Sequence, residues 1–318
     1  MKLLITGIHG FVGSNLVSAL KDSYEIYGLD IIAPEKEGVV KTFSWEDLEN
    51  NRIPEIDAII HLAGKAHDTK NRSAADVYFK VNTDLTKKVF DYFTKHSAIR
   101  KFIFFSSVKA AVDKVPGEVL TEDVTPCPVG PYGESKVKAE EYILDLLNKD
   151  SQVYVGRDIV ILRPCMIHGP GNKGNLNLLY GFVKKGLPWP LGAFDNRRTF
   201  TSIENLIFVI NSMLSAPIGS GVYNMADDEA LSTNELIEVM CNAMGKNPLI
   251  WKLPKGLINF GARMGDVLHL PLNTFRLDKL TENYVVSNEK LKKALAIKKM
   301  PVDARDGLAQ TIRSFQKQ

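Results

Sequence analysis

Short apolar runs alternate with longer amphipathic stretches through the first half of the chain. Residues 2–6, 25–29, 57–62, 101–105 and 158–162 read as strands. The run at 57–62 is nearly continuous in apolar residues, as expected of a strand covered on both faces. Residues 11–21, 74–96 and 132–148 read as helices. In the second of these, Val77, Val81, Leu85, Val89 and Phe93 recur at steps of four and predict one apolar face. This βαβα order predicts an α/β protein with a Rossmann-type, doubly wound parallel sheet. After Arg163-Pro164 the pattern changes. Glycine and proline become dense through Gly169-Pro170-Gly171 and from Leu187 to Gly192. Helices return at 204–214, at 232–244 and near the C-terminus, and Ser232 with Glu235 forms a capping-box start. The expected division is a dinucleotide-binding domain over 1–165 with a return segment near 198–227. A smaller C-terminal α/β lobe for substrate takes 166–197 and 228–318.

Composition narrows the class. A chain of 318 residues with 45% hydrophobic residues can bury a sizeable core. The net charge of +3 comes from 40 basic and 37 acidic residues that are scattered along the chain, so nucleic acid is not expected as a partner. Cys127, Cys165 and Cys241 have no CxxC spacing, which predicts neither a disulfide framework nor a zinc site and suits a reducing cytoplasm. No apolar run approaches the ~20 residues of a membrane span, and no leader pattern precedes the first strand, so membrane insertion is not expected. His61 and His67 lack carboxylate or cysteine neighbours at ligand spacing and read as structural rather than metal-binding.

The chemistry begins at Gly7, Gly10 and Gly13, a GxxGxxG loop between a strand and a helix. Such glycines permit a tight turn, close approach of backbone to a diphosphate, and close packing of helix on sheet. The helix start adds free N–H groups and partial positive charge. Asp30 ends the second strand, where a carboxylate accepts hydrogen bonds from an adenosine ribose and repels a 2′-phosphate. Ile31 and Ile32 follow it and supply no cation for that phosphate, so NAD is expected rather than NADP. Tyr132 and Lys136 are four residues apart on a predicted helix and share a face. A free tyrosine, with a pKa of about 10, is a poor base at neutral pH. A neighbouring ammonium favours its phenolate and is expected to lower that value. Ser107 follows the 101–105 strand, at the end that faces the cofactor crevice.

These motifs together resemble the extended short-chain dehydrogenase/reductase family, in its nucleotide-sugar epimerase, dehydratase and reductase branch. The likeness runs over nearly the whole chain. It is carried by the glycine loop, His61-Leu62-Ala63-Gly64, Val81-Asn82, Phe105-Ser106-Ser107, Tyr132-x-x-x-Lys136, and Leu162-Arg163-Pro164 leading to His168-Gly169-Pro170-Gly171. The resemblance implies that Tyr132 is the general acid/base, Ser107 positions the substrate oxygen and Lys136 tunes Tyr132. It implies cofactor contacts from Gly7, Gly10, Phe11, Val12, Gly13 and Asp30, from Leu62, Ala63, Gly64 and Asn82, and from Tyr132, Lys136 and Pro164. Asn82 is implied in the site's hydrogen-bond relay. Asn175 and Arg198 resemble residues that contact the substrate diphosphate. His168 stands where the family usually has tyrosine.

The dehydratases of this family carry an acidic pair after the serine or threonine, whereas Ser107 is followed by Val108 and Lys109. The resemblance therefore implies a cytoplasmic, NAD-dependent 4-epimerase of a UDP-hexose or UDP-N-acetylhexosamine. The alternative is a 4-keto-6-deoxy-hexosamine reductase of surface-polysaccharide synthesis. A non-catalytic dinucleotide-binding regulator is a third reading. Family members often dimerise through the helices expected at 74–96 and 132–148, which makes a homodimer the expectation here.

Overall fold

The structure, a computed structural model, describes residues 1–65, 74–172, 174–268 and 273–316. His67 lies outside the described residues. Its first half alternates strand and helix. β1 (Lys2–Thr6), α1 (Phe11–Leu20), β2 (Glu25–Leu29), β3 (Lys41–Phe43), α2 (Trp45–Glu49) and β4 (Ala58–His61) lead to a long helix. That helix comprises α3 (Ala75–Tyr78), a π-helical segment (Phe79–Asp84) and α4 (Leu85–Lys95). Then come β5 (Lys101–Phe105), α5 (Val108–Ala111), α6 (Pro131–Lys149) and β6 (Asp158–Pro164). The second half contains β7 (Met166–His168), α7 (Asn175–Lys184), β8 (Arg197–Ser202), α8 (Ile203–Ser215), β9 (Gly221–Met225), β10 (Ala230–Ser232) and α9 (Thr233–Ala243). It closes with α10 (Lys255–Leu268), α11 (Thr274–Thr281), α12 (Glu289–Ala294) and α13 (Ala304–Gln316).

Seven strands form a parallel sheet in the order β3-β2-β1-β4-β5-β6-β9. The order reverses at β1, between β2 and β4, and the crevice for a ligand lies beyond the C-terminal ends of the strands at that point. Helices cover both faces, so β1, β4, β5 and β6 are buried almost throughout. One face packs α1 and α8 through Leu16, Val17, Leu206, Val209 and Ile210. The other packs α4 and α6 through Val89, Phe90, Phe93, Ala139 and Ile143. A separate core built from α7, α9, α10 and α13 holds the small lobe together.

Two expectations change. The 74–96 helix was expected to bury one stripe, yet Val77 is 40% exposed, while Asn82, Thr83 and Thr86 are buried. The π-helical segment inserts an extra residue into the turn and rotates the inward face, and such segments recur at functional sites. The return segment, expected from 198, begins at α8. β8 pairs instead with β7 in parallel and β10 antiparallel, as the centre of a three-stranded sheet. α8 and β9 rejoin the large sheet, where β9 pairs with β6, and Leu291 of α12 packs into the same core.

Phe90 is fully buried, with ring centroids 5.0 Å from Phe102 and 5.6 Å from Phe93. Phe90→Ala leaves a cavity between helix and sheet and is expected to cost about 3–5 kcal/mol. Urea denaturation of the two proteins measures this. A loss below about 1 kcal/mol would contradict the assigned core.

Candidate active site

Strand register brings the glycine loop and the Ala63-Gly64 segment together. β1 and β4 are in parallel register with Thr6 opposite His61, so Gly7 and Leu62 leave the sheet side by side. The buried Thr6 hydroxyl fixes the exit, because it accepts from the Ala63 N–H at 2.9 Å and bonds His61 Nδ1 at 2.7 Å. His61 Nε2 bonds Thr86 at 2.9 Å. Burial, then the nearby Lys136, pushes the His61 pKa down to about 3, so the ring stays neutral and structural.

Gly7 has φ +68°, and a side chain there would meet the Ala63 backbone nitrogen at 2.9 Å. A side chain at Gly13 would lie 2.6 Å from the Gly7 carbonyl. The loop therefore folds tightly onto α1. Gly10 caps that helix without a side-chain hydrogen bond. This cradle, with N–H groups at a helix start, fits a dinucleotide diphosphate. Phe11 and Val12 open the helix, half buried, and Phe11 approaches Gly171. Asn15 also reaches the Pro170 carbonyl at 3.1 Å, so the Gly169–Gly171 turn flanks the crevice. Asp30 accepts from the His9 N–H at 3.1 Å, inside the glycine loop. Ile31 and Ile32 are exposed. The chain beyond them brings Lys36 to the same corner, where it donates to Ser14 at 2.8 Å and senses the Asp30 charge. The residues next to Asp30 gave no sign of this lysine.

The catalytic candidates converge on the ends of β5 and α6. Ser107 follows β5 and caps α5, accepting from the Lys109 N–H at 3.2 Å. Tyr132 stands in the first turn of α6 and shares a side-chain hydrogen bond with Ser107. Its ring meets Tyr78 edge-on, with centroids 6.4 Å apart. Lys136, one turn along, donates to the Phe105 carbonyl at 2.8 Å and lies over the Phe104 ring. A side chain at Gly64 would fall 3.0 Å from the Asn82 oxygen and 3.1 Å from Lys136 Nζ, so Gly64 keeps this approach open. Asn82, in the π-helical segment, accepts from Lys65 N–H at 2.7 Å and donates to Ser135 at 3.0 Å. Thr83 donates to the Ser135 carbonyl at 2.7 Å. The extra residue of the π turn thus ties this helix to the first turns of α6.

Charge on Tyr132 differs from the expectation. Burial raises its pKa, the Ser107 hydrogen bond lowers it in part, and Tyr78 raises it. Lys136 does not act on it here, since its ammonium points to the Phe105 carbonyl. Burial drops Lys136 to about 8, and Glu140 opposes that drop. Glu140 is one turn beyond Lys136, buried, and held by Arg163 of β6 through both Nε and Nη2. Ser106 also donates to Glu140. Sequence reasoning missed Glu140 as a partner. Its position on the face shared by Tyr132 and Lys136, and an arginine inside an apolar strand, were the available signals.

The remaining cofactor candidate Pro164, the substrate candidates Asn175 and Arg198, and His168 are placed differently. Pro164 ends β6 beside Met225. Asn175 is the exposed first residue of α7. Arg198, half buried, uses Nη2 and Nε on the carbonyls of Lys279 and Glu282, at the end of α11. A cation there complements the carbonyl end of a helix. The neighbouring Arg197 is exposed and reaches the Ala230 carbonyl at 3.3 Å. His168 is buried on β7, bonded to Thr311 of α13 at 2.9 Å and 3.8 Å from Asp227, so it ties β7 to α13.

A family model described as the NAD dependent epimerase/dehydratase family matches residues 3–226. The chain belongs to that family. It is 31% identical to a UDP-glucose 4-epimerase of Vibrio cholerae over 98% of this chain and 95% of that one. It is 27% identical to an N-acetyl-alpha-D-glucosaminyl-diphospho-ditrans,octacis-undecaprenol 4-epimerase of Escherichia coli O157:H7, covering 92% and 85%. The solved UDP-N-acetylglucosamine 4-epimerase of Bacillus cereus superposes over the whole of both chains with a TM-score of 0.76 at 20% identity, which shows the shared fold. No helix among the described residues is long and apolar enough to cross a membrane.

The buried Lys136 loses its ammonium as pH rises through about 8. Activity that depends on that charge is expected to fall on the alkaline side with an apparent pKa near that value, read from kcat/KM against pH. Glu140→Gln removes the charge that holds Lys136 protonated, so the alkaline limb should move to lower pH. A limb that stays in place would contradict the electrostatic link.

Proposed function

We propose that this protein is an NAD-dependent 4-epimerase of a UDP-hexose or UDP-N-acetylhexosamine, acting through a 4-keto intermediate. The observation that carries this reading is the hydrogen-bonded Ser107–Tyr132 pair with Lys136 one turn away, at the mouth of the dinucleotide cradle. NAD, held by the glycine loop, Asp30, Leu62, Ala63, Gly64, Asn82, Lys136 and Pro164, supplies the hydride acceptor and donor when bound. The protein's own residues handle the proton. Tyr132 takes it from O4 of the sugar and returns it, and Ser107 orients that oxygen. Lys136, whose ammonium points to the Phe105 carbonyl here, is assigned to turn towards the bound nucleotide and favour the phenolate there. Val108 and Lys109 after Ser107 leave no carboxyl group there to expel a C6 hydroxyl, which speaks against dehydration. Asp30, at the end of β2 and bonded to the His9 N–H of the glycine loop, favours NAD, and with it an epimerase that needs no net reductant.

Asn175 and Arg198 are assigned to the substrate diphosphate. Arg198 already holds the end of α11, so this role places the diphosphate beside that helix, with the planar guanidinium shared between carbonyls and phosphate. The V. cholerae relative is named for a nucleotide carrier and the E. coli relative for a polyprenyl carrier, and both present a sugar on a diphosphate. We assign the protein a role in surface-polysaccharide synthesis, which a sugar carried on a diphosphate would suit. We place the protein in the cytoplasm, where its three free cysteines stay reduced. The homodimer is assigned to the outer faces of α4 and α6, which lie side by side with Tyr142 donating to Asp91.

Purified protein given UDP-GlcNAc or UDP-glucose without added reductant is expected to form the 4-epimer, seen by NMR. No conversion, together with NADH or NADPH oxidation on a 4-keto sugar, would replace this reading with the reductase. Tyr132→Phe is expected to lose about two to three orders of magnitude in turnover. Near-normal turnover would remove Tyr132 from the reaction.

A further inference from the structure

The loop after Asp30 carries a cation to the adenosine end of the crevice. β2 ends at Leu29, and the chain from Ile31 to Gly38 runs over the surface. In that stretch Lys36 alone is half buried. A turn places its backbone. The Val39 N–H donates to the Lys36 carbonyl at 3.1 Å, and Gly38, third in the turn, has φ +81°, as a type II turn requires there. The turn is fastened on two sides. A side chain at Gly38 would collide with Lys21, just past α1, and Glu37 pairs with the same lysine. Val39 packs against the core that α1 and α8 share, and the Val40 N–H donates to the Ile26 carbonyl of β2 at 2.8 Å. From this fixed backbone the Lys36 side chain runs to α1, where Nζ donates to the Ser14 hydroxyl at 2.8 Å.

The surroundings of that ammonium suit a phosphate. Asp30 Oδ2 accepts from the His9 N–H at 3.1 Å, and Oδ1 accepts from the Ile31 N–H at 2.7 Å. The carboxylate thus meets two N–H groups of its own chain before a cofactor arrives. Lys36 answers its charge: burial lowers the lysine's pKa, and Asp30 opposes that fall. Lys36 has three N–H donors and spends one on Ser14. The Ser14 hydroxyl accepts that bond and keeps its own proton to give. A carboxylate alone at this place accepts from a ribose 2′-hydroxyl, whereas a cation beside it accommodates a 2′-phosphate. Here both stand at one corner, and their formal charges cancel. We propose that Lys36 and Ser14 bind the 2′-phosphate of NADP(H), so that the cradle takes NADP(H) as well as NAD(H). Asp30 serves the 2′-hydroxyl of the one, and Lys36 the 2′-phosphate of the other. This rests on the dinucleotide cradle assigned above. It leaves the reaction as it stands, since an epimerase returns its hydride to the sugar and either dinucleotide can carry it.

Isothermal titration of the nucleotide-free full chain with NAD and, separately, with NADP tests this without turnover. The parent is expected to bind NADP with an affinity within about tenfold of that for NAD. Lys36→Met keeps the hydrocarbon stem and removes the ammonium. It is expected to lower the NADP-to-NAD affinity ratio about tenfold or more, the size of a hydrogen bond from a charged group. Lys36→Arg keeps the charge and should hold the ratio at or above the parent's. Added salt should weaken NADP more than NAD in the parent, and this difference should shrink in Lys36→Met. NAD binding by each variant reports that its cradle is folded. A parent that binds NAD and not NADP would overturn the proposal. So would a Lys36→Met protein in which both dinucleotides weaken alike, since Lys36 would then only pack the loop. Failure of the parent to bind either dinucleotide would strike the cradle itself and the proposal with it, so the two failures are told apart.

Discussion

A buried ion pair holds α6, the helix that carries Tyr132 and Lys136, to the sheet. Glu140 and Arg163 are almost fully buried, 1% and 3% exposed, and they bond through two guanidinium nitrogens. Removing either partner strands a charge inside the protein, at a cost of about 3–5 kcal/mol. The pair joins α6 to β6 and draws in Ser106, the residue before Ser107. It therefore sets the position of Tyr132 and Lys136 on one element against Ser107 on another. It also leaves a carboxylate one turn from Lys136, which counters the burial that would strip its proton. Position and charge at the site thus depend on the same contact.

The π-helical segment works from the other side. A regular helix over 74–96 would have turned valines inward. The extra residue instead buries Asn82, Thr83 and Thr86, and these bond Lys65, Ser135 and His61. Polar groups at such depth are tolerated because each finds a partner. Together with Thr6, they set the exits of β1 and β4, and so the width of the cofactor crevice.

Much of this was legible from residues alone. Five strands of the large sheet, β1, β2, β4, β5 and β6, were visible because both of their faces are covered, which demands apolar runs, whereas the edge strands β3 and β9 were not. Gly7, Gly13, Ser107, Tyr132 and Lys136 were visible because their spacing is mechanical. Pairings between distant elements were not. Nothing local to Glu140 names Arg163 as its partner, and nothing after Asp30 announces Lys36. The π segment was hidden because four-residue spacing of valines is also what an ordinary helix shows. β8 looked like the start of the return to the large sheet, but its partners are β7 and β10. The Arg198 motif was readable, while its hold on α11 depends on where a helix eighty residues later comes to rest.

The central claim is that hydride removed from C4 of the sugar goes back to the same carbon. A UDP-sugar carrying deuterium at C4 tests it, with the product analysed by NMR and mass spectrometry. The account predicts that the 4-epimer keeps the deuterium at C4, including when unlabelled NADH is present in solution. Loss of the label, or its appearance in the free nicotinamide pool, would contradict it.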